Sequence, residues 1–166
     1  MKNTKKLVTM AISVSLALIL SFIESQIPAF VAVPGVKLGL ANIAVVFALY
    51  KLGEGEAAII SAIRVILLAI LFGSFTSFLF SLSGATVSFI LMLVLKRLTP
   101  LGKVGVSVIG GVSHNLAQIG VACLILETNL LVYYLPFLLI SGTVAGIVIG
   151  VVSALLVAKI NLEKSK

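Results

Sequence analysis

Residues 57–95 run for 39 positions with Arg64 as their only full charge. As one helix rising ~1.5 Å per residue, the stretch would be about twice as long as the ~30 Å hydrocarbon core of a bilayer. It has to turn back on itself, and its weak point is "GSFTSF" at 73–78. A soluble domain carries roughly 25% charged residues; this chain carries 10%, with 61% hydrophobic. Its solvent is therefore lipid. The 166 residues allow one integral membrane domain and leave no room for a separate soluble one.

The same reasoning along the chain predicts an all-α bundle of six transmembrane helices. The first covers 7–27, where an apolar run of ~20 residues behind three lysines fits a retained span better than the shorter core of a secretion signal. "PAFVAVPG" at 28–35 breaks the helix, because two prolines and a glycine cannot continue it. A short second span is expected at 36–52, followed by the polar turn "KLGEGE" and by spans at 57–73 and 77–95. "KRLTPLGK" at 96–103 separates these from spans at 104–126 and 131–158, the last with Pro136 in its first turns.

The net charge of +7 raises the question of nucleic acid. Its placement answers it. With both termini inside, ten of the 12 Lys and Arg residues fall on the cytoplasmic side, Arg64 lies within a span and Lys37 alone is outside. That is the positive-inside pattern, and no soluble basic surface remains for a nucleic acid. The expected location is the inner (plasma) membrane. Cys123 is the single cysteine, so an internal disulfide is excluded and no cysteine-based metal spacing exists.

Two spans place polar groups at depth. His114 and Asn115 lie midway between Lys103 and Glu127, and Gln118 shares a face with His114 one turn on, beside Gly110 and Gly111. Arg64 lies midway in its own span, with Ser61 three residues before it. Centring an Arg in a bilayer costs ~2.5–3.5 kcal/mol on insertion scales, so these groups are expected to converge inside the bundle. Two readings stay open. The groups bond only one another and fix helix register at ~0.6–2 kcal/mol each, or they floor a pocket for an anionic or hydrogen-bonding solute.

Further candidates stand near the outer face: Glu24, Lys37, Asn42 and Ser83, around the Gly/Pro-rich approach to the short second span. Broken helices of this kind expose backbone groups to substrates in transporters. The alternative is that Lys37 snorkels to the surface and pairs with Glu24. Small residues at every fourth position, Gly142, Gly146 and Gly150, mark a packing seam within the subunit or against a partner. Ala11 with Ser15 and Ser13 with Ala17 are weaker versions on the first span. The chain contains no aspartate and only five glutamates, and no P-loop, GxSxG or HExxH motif. No catalytic residue, metal ligand or cofactor is expected, and transport driven by ATP would need a partner.

Four segments carry a family resemblance: "PGVKLGLANI" (34–43), "SFLFSLSGA" (77–85), "SHNLAQIG" (113–120) and "YLPFLLISG" (134–142). With them, nearly the whole chain resembles the Gx transporter family, also called heptaprenyl diphosphate synthase component I. That family is similar to the substrate-binding S components of energy-coupling-factor (ECF) transporters. The resemblance implies a six-helix subunit that captures a small, anionic or vitamin-like solute from outside, with a transmembrane coupling subunit and ATPase subunits as partners. S components dock through an AxxxA pattern on the first helix; here Ala11/Ser15 and Ser13/Ala17 stand in that region. The synthase label implies a second reading, an accessory membrane subunit of isoprenoid or quinone synthesis or of extracellular electron transfer. Prenyl synthases hold Mg²⁺ on DDxxD-type motifs, which a chain without aspartate does not have.

Overall fold

The computed structural model describes residues 2–26, 39–72 and 75–160. Among them are six α-helices and one 3-10 stretch, with no strand. Helix α1 covers Lys2–Gln26, α2 Asn42–Lys51, α3 Glu54–Phe72, α4 Phe75–Leu98, α5 Lys103–Ile125 and α6 Leu135–Lys159. Four stretches are long and apolar enough to cross a membrane: Thr4–Glu24, Phe75–Leu98, Lys103–Ile125 and Leu130–Lys159. Their outward faces carry Leu7, Ile12, Ile19, Ile90, Ile140 and Val144, all exposed. A surface so apolar suits acyl chains rather than water.

The second expected span is the main departure. Its helix starts at Asn42 rather than 36 and has only 10 residues, about 15 Å at the usual rise and half a hydrocarbon core. Residues 39–41 form a turn, with Gly39 at φ +86, a conformation that costs a residue with a Cβ 1–2 kcal/mol. Residues 36–38 lie outside the described ones. This short helix is enclosed by its neighbours: Ala44, Val45, Val46, Phe47, Ala48 and Leu49 are all buried. Its last carbonyls have no intrahelical donors. Lys96 of α4 supplies one, donating to the Leu49 carbonyl at 2.9 Å, while Ser153 of α6 donates to the Ile43 carbonyl at 3.1 Å. The chain of "KRLTPLGK" also stays helical as far as Leu98, so the loop is shorter than expected.

α5 and α6 share the most extensive interface, and glycine makes it possible. A Cβ on Gly111 would lie 2.5 Å from the Gly142 carbonyl oxygen, and one on Gly146 would lie 2.5 Å from the Val108 Cα. One on Gly150 would meet the Val104 Cα at 2.6 Å. The two backbones touch there, and no other residue fits. Gly142, Gly146 and Gly150 are thus spent on packing within the chain, as small residues are in other lipid-embedded helix pairs. On α1, Ser13 and Ala17 face inward, Ala17 against Ala41 and Ala44, whereas Ala11 and Ser15 face outward.

At the end holding Lys6, Glu54 and Arg97, ion pairs tie the helices. Lys6 of α1 pairs with Glu56 of α3, and Arg97 of α4 grips Glu54 through two nitrogens. The hydrogen bond from Arg97 holds the Glu54 carboxyl below the ordinary carboxylate range, and that from Lys6 does the same for Glu56. The Lys96 and Lys103 ammonium groups each lie over the Tyr50 ring, 5.5 Å from its centre.

Candidate functional site

The polar residues of α3 and α5 meet inside the bundle. Ser21 and Glu24 of α1, Gly39, Arg64, Val65 and Leu68 of α3, Ser81 of α4 and His114 of α5 line one cavity. It is narrow, about 10 Å³, room for roughly one water molecule. Each polar wall is well buried: Arg64 is 5% exposed, Glu24 7% and His114 3%. A ligand of any size has to widen this space.

Local sequence explains how each group arrives. Ser21 and Glu24 are three residues apart and share a face of α1. The Gly39 N–H donates to the Glu24 carboxylate, so the end of α1 is fastened to the turn that opens α2. His114 is wedged between two glycines. A Cβ on Gly84 would lie 2.8 Å from its Cε1, and one on Gly39 would lie 3.7 Å from its Cδ2. The Gly84 position also accommodates the Gln118 side chain, whose Cγ would be 3.0 Å away. Any larger residue at 84 would push the imidazole out of the wall.

Arg64 is the electrostatic centre. Its guanidinium is fully enclosed, and Glu24 is the charge that compensates it. The Arg64 Nε has no hydrogen-bond partner. A buried donor left unsatisfied costs ~1–3 kcal/mol. Arg64 therefore carries unused binding capacity in an enclosed space.

The residues singled out in the sequence separate into groups. Arg64, His114 and Glu24 converge. Glu24, a candidate at the outer end of the first span, is a buried wall of the cavity, because α1 packs along α2 and α3. Asn42 is buried at the start of α2, its Nδ2 3.2 Å from a Cβ on Gly39, beside the cavity rather than in it. Gln118 is fully buried one turn beyond His114.

Asn115 turns the other way: its Nδ2 donates to the Leu138 carbonyl of α6 at 2.9 Å, helping to hold the α5–α6 seam. Ser83 is half-buried and donates to the Phe80 carbonyl at 2.9 Å and the Ala117 carbonyl at 3.5 Å. It too joins helices. Ser61, expected beside Arg64, lines a different, mostly apolar groove of about 160 Å³ between α3 and α4, with Ala58, Ala62, Ala85 and Thr86. Lys37 lies outside the described residues. Ser21 was not foreseen; its position three residues before Glu24 was the available signal.

What the cavity can do follows from its chemistry. It offers donors from Arg64, an acceptor from Glu24, two serine hydroxyls and an imidazole, all away from water. Such a set has the chemistry to bind and orient a polar group. Among the described residues no group of three His, Cys, Asp or Glu side chains comes together to hold a metal. No curated protein and no solved structure matches this chain. A family model does, over residues 13–156, and by it the chain belongs to the heptaprenyl diphosphate synthase component I family.

Proposed function

We propose that this protein is a solute-binding membrane subunit of the S-component kind, capturing a small polar molecule in the Arg64–Glu24–His114 cavity. The observation that carries the reading is Arg64: buried, lining a cavity, and with a nitrogen that has no hydrogen-bond partner. An ionisable group held at depth inside a bundle is by default a functional group rather than packing. The six helices would lie in the inner membrane with both termini cytoplasmic. α2 would act as a half-length element, and its glycine turn would form part of the solute's path. Transport would be energised by a coupling subunit and ATPases, with Ala11 and Ser15 on the exposed face of α1 as the contact.

Native mass spectrometry of protein extracted in mild detergent tests this directly. A retained small molecule, lost in Arg64→Ala and His114→Ala while the folded protein remains, supports the reading. Loss of folded protein with no retained solute in the wild type overturns it.

The family name supports a second reading, a non-catalytic accessory subunit of isoprenoid or quinone synthesis. Without aspartate the chain offers no DDxxD-type ligands for Mg²⁺ and diphosphate. Any synthesis would then belong to a partner. Co-purification separates the two readings: coupling and ATPase subunits favour the first, and a prenyl synthase with no bound solute favours the second.

A further inference from the structure

We infer that the groove between α3 and α4 is a binding site for one anionic phospholipid, with a stretch of acyl chain in the groove and the phosphate on Arg97. The inference concerns a space separate from the polar cavity and does not depend on the solute-binding reading.

Serine and alanine at the centre of the groove leave room that larger side chains would fill. Ser61, Val65 and Ala85 form a buried floor, and Ala62, Thr86 and Ile90 stand exposed along the rim. α4 packs more extensively against α5 than against α3, so its α3 side stays open. The groove is mostly apolar and holds about 160 Å³. Its size decides what fits. An apolar protein cavity of ~150 Å³ holds a benzene molecule, about six carbons, whereas a helix with its side chains is ~10–12 Å across. A short run of acyl chain fills the groove. A helix of a second copy or of a partner does not enter it.

The charges at one end of the groove decide the headgroup. Arg97 lies seven residues beyond Ile90, and Glu54 seven before Ser61, so each continues the groove face of its own helix. Their ion pair spans the gap between α3 and α4 at that end. Seven residues are ~10 Å of helical rise, which sets the groove in the acyl region of the leaflet nearest the pair. Lys96 also reaches Glu54, at 3.5 Å, and Lys96 and Lys103 lie over the neighbouring Tyr50 ring. Lys96, Arg97 and Lys103 against Glu54 leave an excess of positive charge. The Arg97 side chain is 61% exposed. Glu54 engages two of its nitrogens, while a guanidinium carries five N–H donors. Donors are left for a phosphate, the planar anion partner that arginine binds best. Basic side chains at a membrane surface draw anionic lipids by the same attraction.

The test is native mass spectrometry of the purified full chain, released from nanodiscs of phosphatidylglycerol and phosphatidylcholine in equal parts with identical dioleoyl chains. One phosphatidylglycerol is expected to stay bound in preference to phosphatidylcholine, and inorganic phosphate in the buffer should not displace it. Arg97→Gln should lower its retention about fivefold, the worth of one basic side chain at an anionic surface, and Arg97→Lys should restore much of it. Glu54→Gln frees the guanidinium and is expected to raise retention. A pair that only clamps α3 to α4 would be broken equally by either change, so the opposite signs separate a lipid site from a clamp. Ala62→Phe fills the groove and should abolish the preference. Ile63→Phe, exposed on the same helix but outside the groove, should leave it unchanged.

Equal retention of the two lipids overturns the inference, as does loss of retention in both Glu54→Gln and Arg97→Gln. So does displacement by inorganic phosphate, which would make the site a phosphate site without a tail. A preference that survives Ala62→Phe, or a dimer of the chain that Ala62→Phe dissociates, overturns it as well. Unfolding midpoints are measured alongside. If Arg97→Gln does not fold, the rise in Glu54→Gln and the loss in Ala62→Phe decide the outcome.

Discussion

The two polar regions of α5 face in different directions and obey opposite rules. Towards α6, the helix presents Gly111 and Asn115. The backbones meet, and Asn115 donates to the Leu138 carbonyl. Towards α1, α3 and α4 it presents His114, on a cavity where a buried Arg64 keeps a nitrogen with no partner. The seam is built of small residues and direct contact, so it specifies how two helices fit. The cavity is built of buried polar groups, one of them the Arg64 Nε with no hydrogen-bond partner, so it specifies what is missing. Adjacent residues on one helix, His114 and Asn115, belong to different regions because successive side chains are ~100° apart on a 3.6-residue turn.

The largest expected effect falls on the seam. Gly146→Leu would drive a side chain into the Val108 backbone, and overpacking of this kind costs ~1–3 kcal/mol or more. Loss of monodisperse folded protein on size-exclusion chromatography checks it. Gly120→Ala is the control, since a Cβ there meets nothing and adds helix propensity of ~1 kcal/mol or less. Equal behaviour of the two variants would erase the distinction between seam and surface.

On the cavity side, removing Arg64 should cost binding more than fold. A charged hydrogen bond contributes ~1.5–3 kcal/mol, and each 1.4 kcal/mol is tenfold in affinity. Arg64→Lys keeps the charge and loses the planar fork. The retained native solute should therefore drop about tenfold to a hundredfold by mass spectrometry, with the unfolding midpoint little changed. A lowered midpoint with binding intact would move Arg64 into the same class as Asn115.

Asn115→Ala sharpens the comparison from the other side. It removes one interhelical hydrogen bond, worth ~0.6–2 kcal/mol in a membrane setting. The midpoint should fall modestly while any solute stays bound.

A smaller, pH-dependent effect is expected far from both regions, at the Glu54–Arg97 clamp. The folded-state carboxyl of Glu54 is held below its ordinary range, chiefly by the Arg97 hydrogen bond. A lowered pKa means the stabilisation is present above the unfolded value and is lost as pH falls through the folded one. The midpoint should therefore decline below the usual carboxylate range, and Arg97→Gln should flatten that decline. The smallest effect on the fold is expected for Ala11→Leu on the exposed face of α1. It should leave the midpoint unchanged yet reduce recovery of a coupling subunit, if that face is where the subunit docks.

Much of the helix pattern was legible because hydropathy is a property of each segment. The apolar runs ending at Glu54, Leu98 and Lys103 fix where α3, α4 and α5 begin and end to within a few residues. The half-length of α2 was not legible. Residues 36–52 are apolar enough for a span, and the turn at Gly39 follows from its packing against Asn42 and His114.

Arg64 and His114 stood out as polar groups in lipid, which one sequence shows without any neighbour. Glu24 was a candidate at the outer end of the first span, with Lys37 as its alternative partner, because it lies four positions before Pro28. Asn115 was assigned to the site by depth, which hydropathy gives, and left it by direction, which depends on how the helix is rotated. Composition and spacing alone therefore determined a lipid-embedded helical chain with an arginine and a histidine that need company. Only the tertiary structure decided that the company is Glu24, since the attraction between charges depends on distances across three helices that the order of residues does not contain.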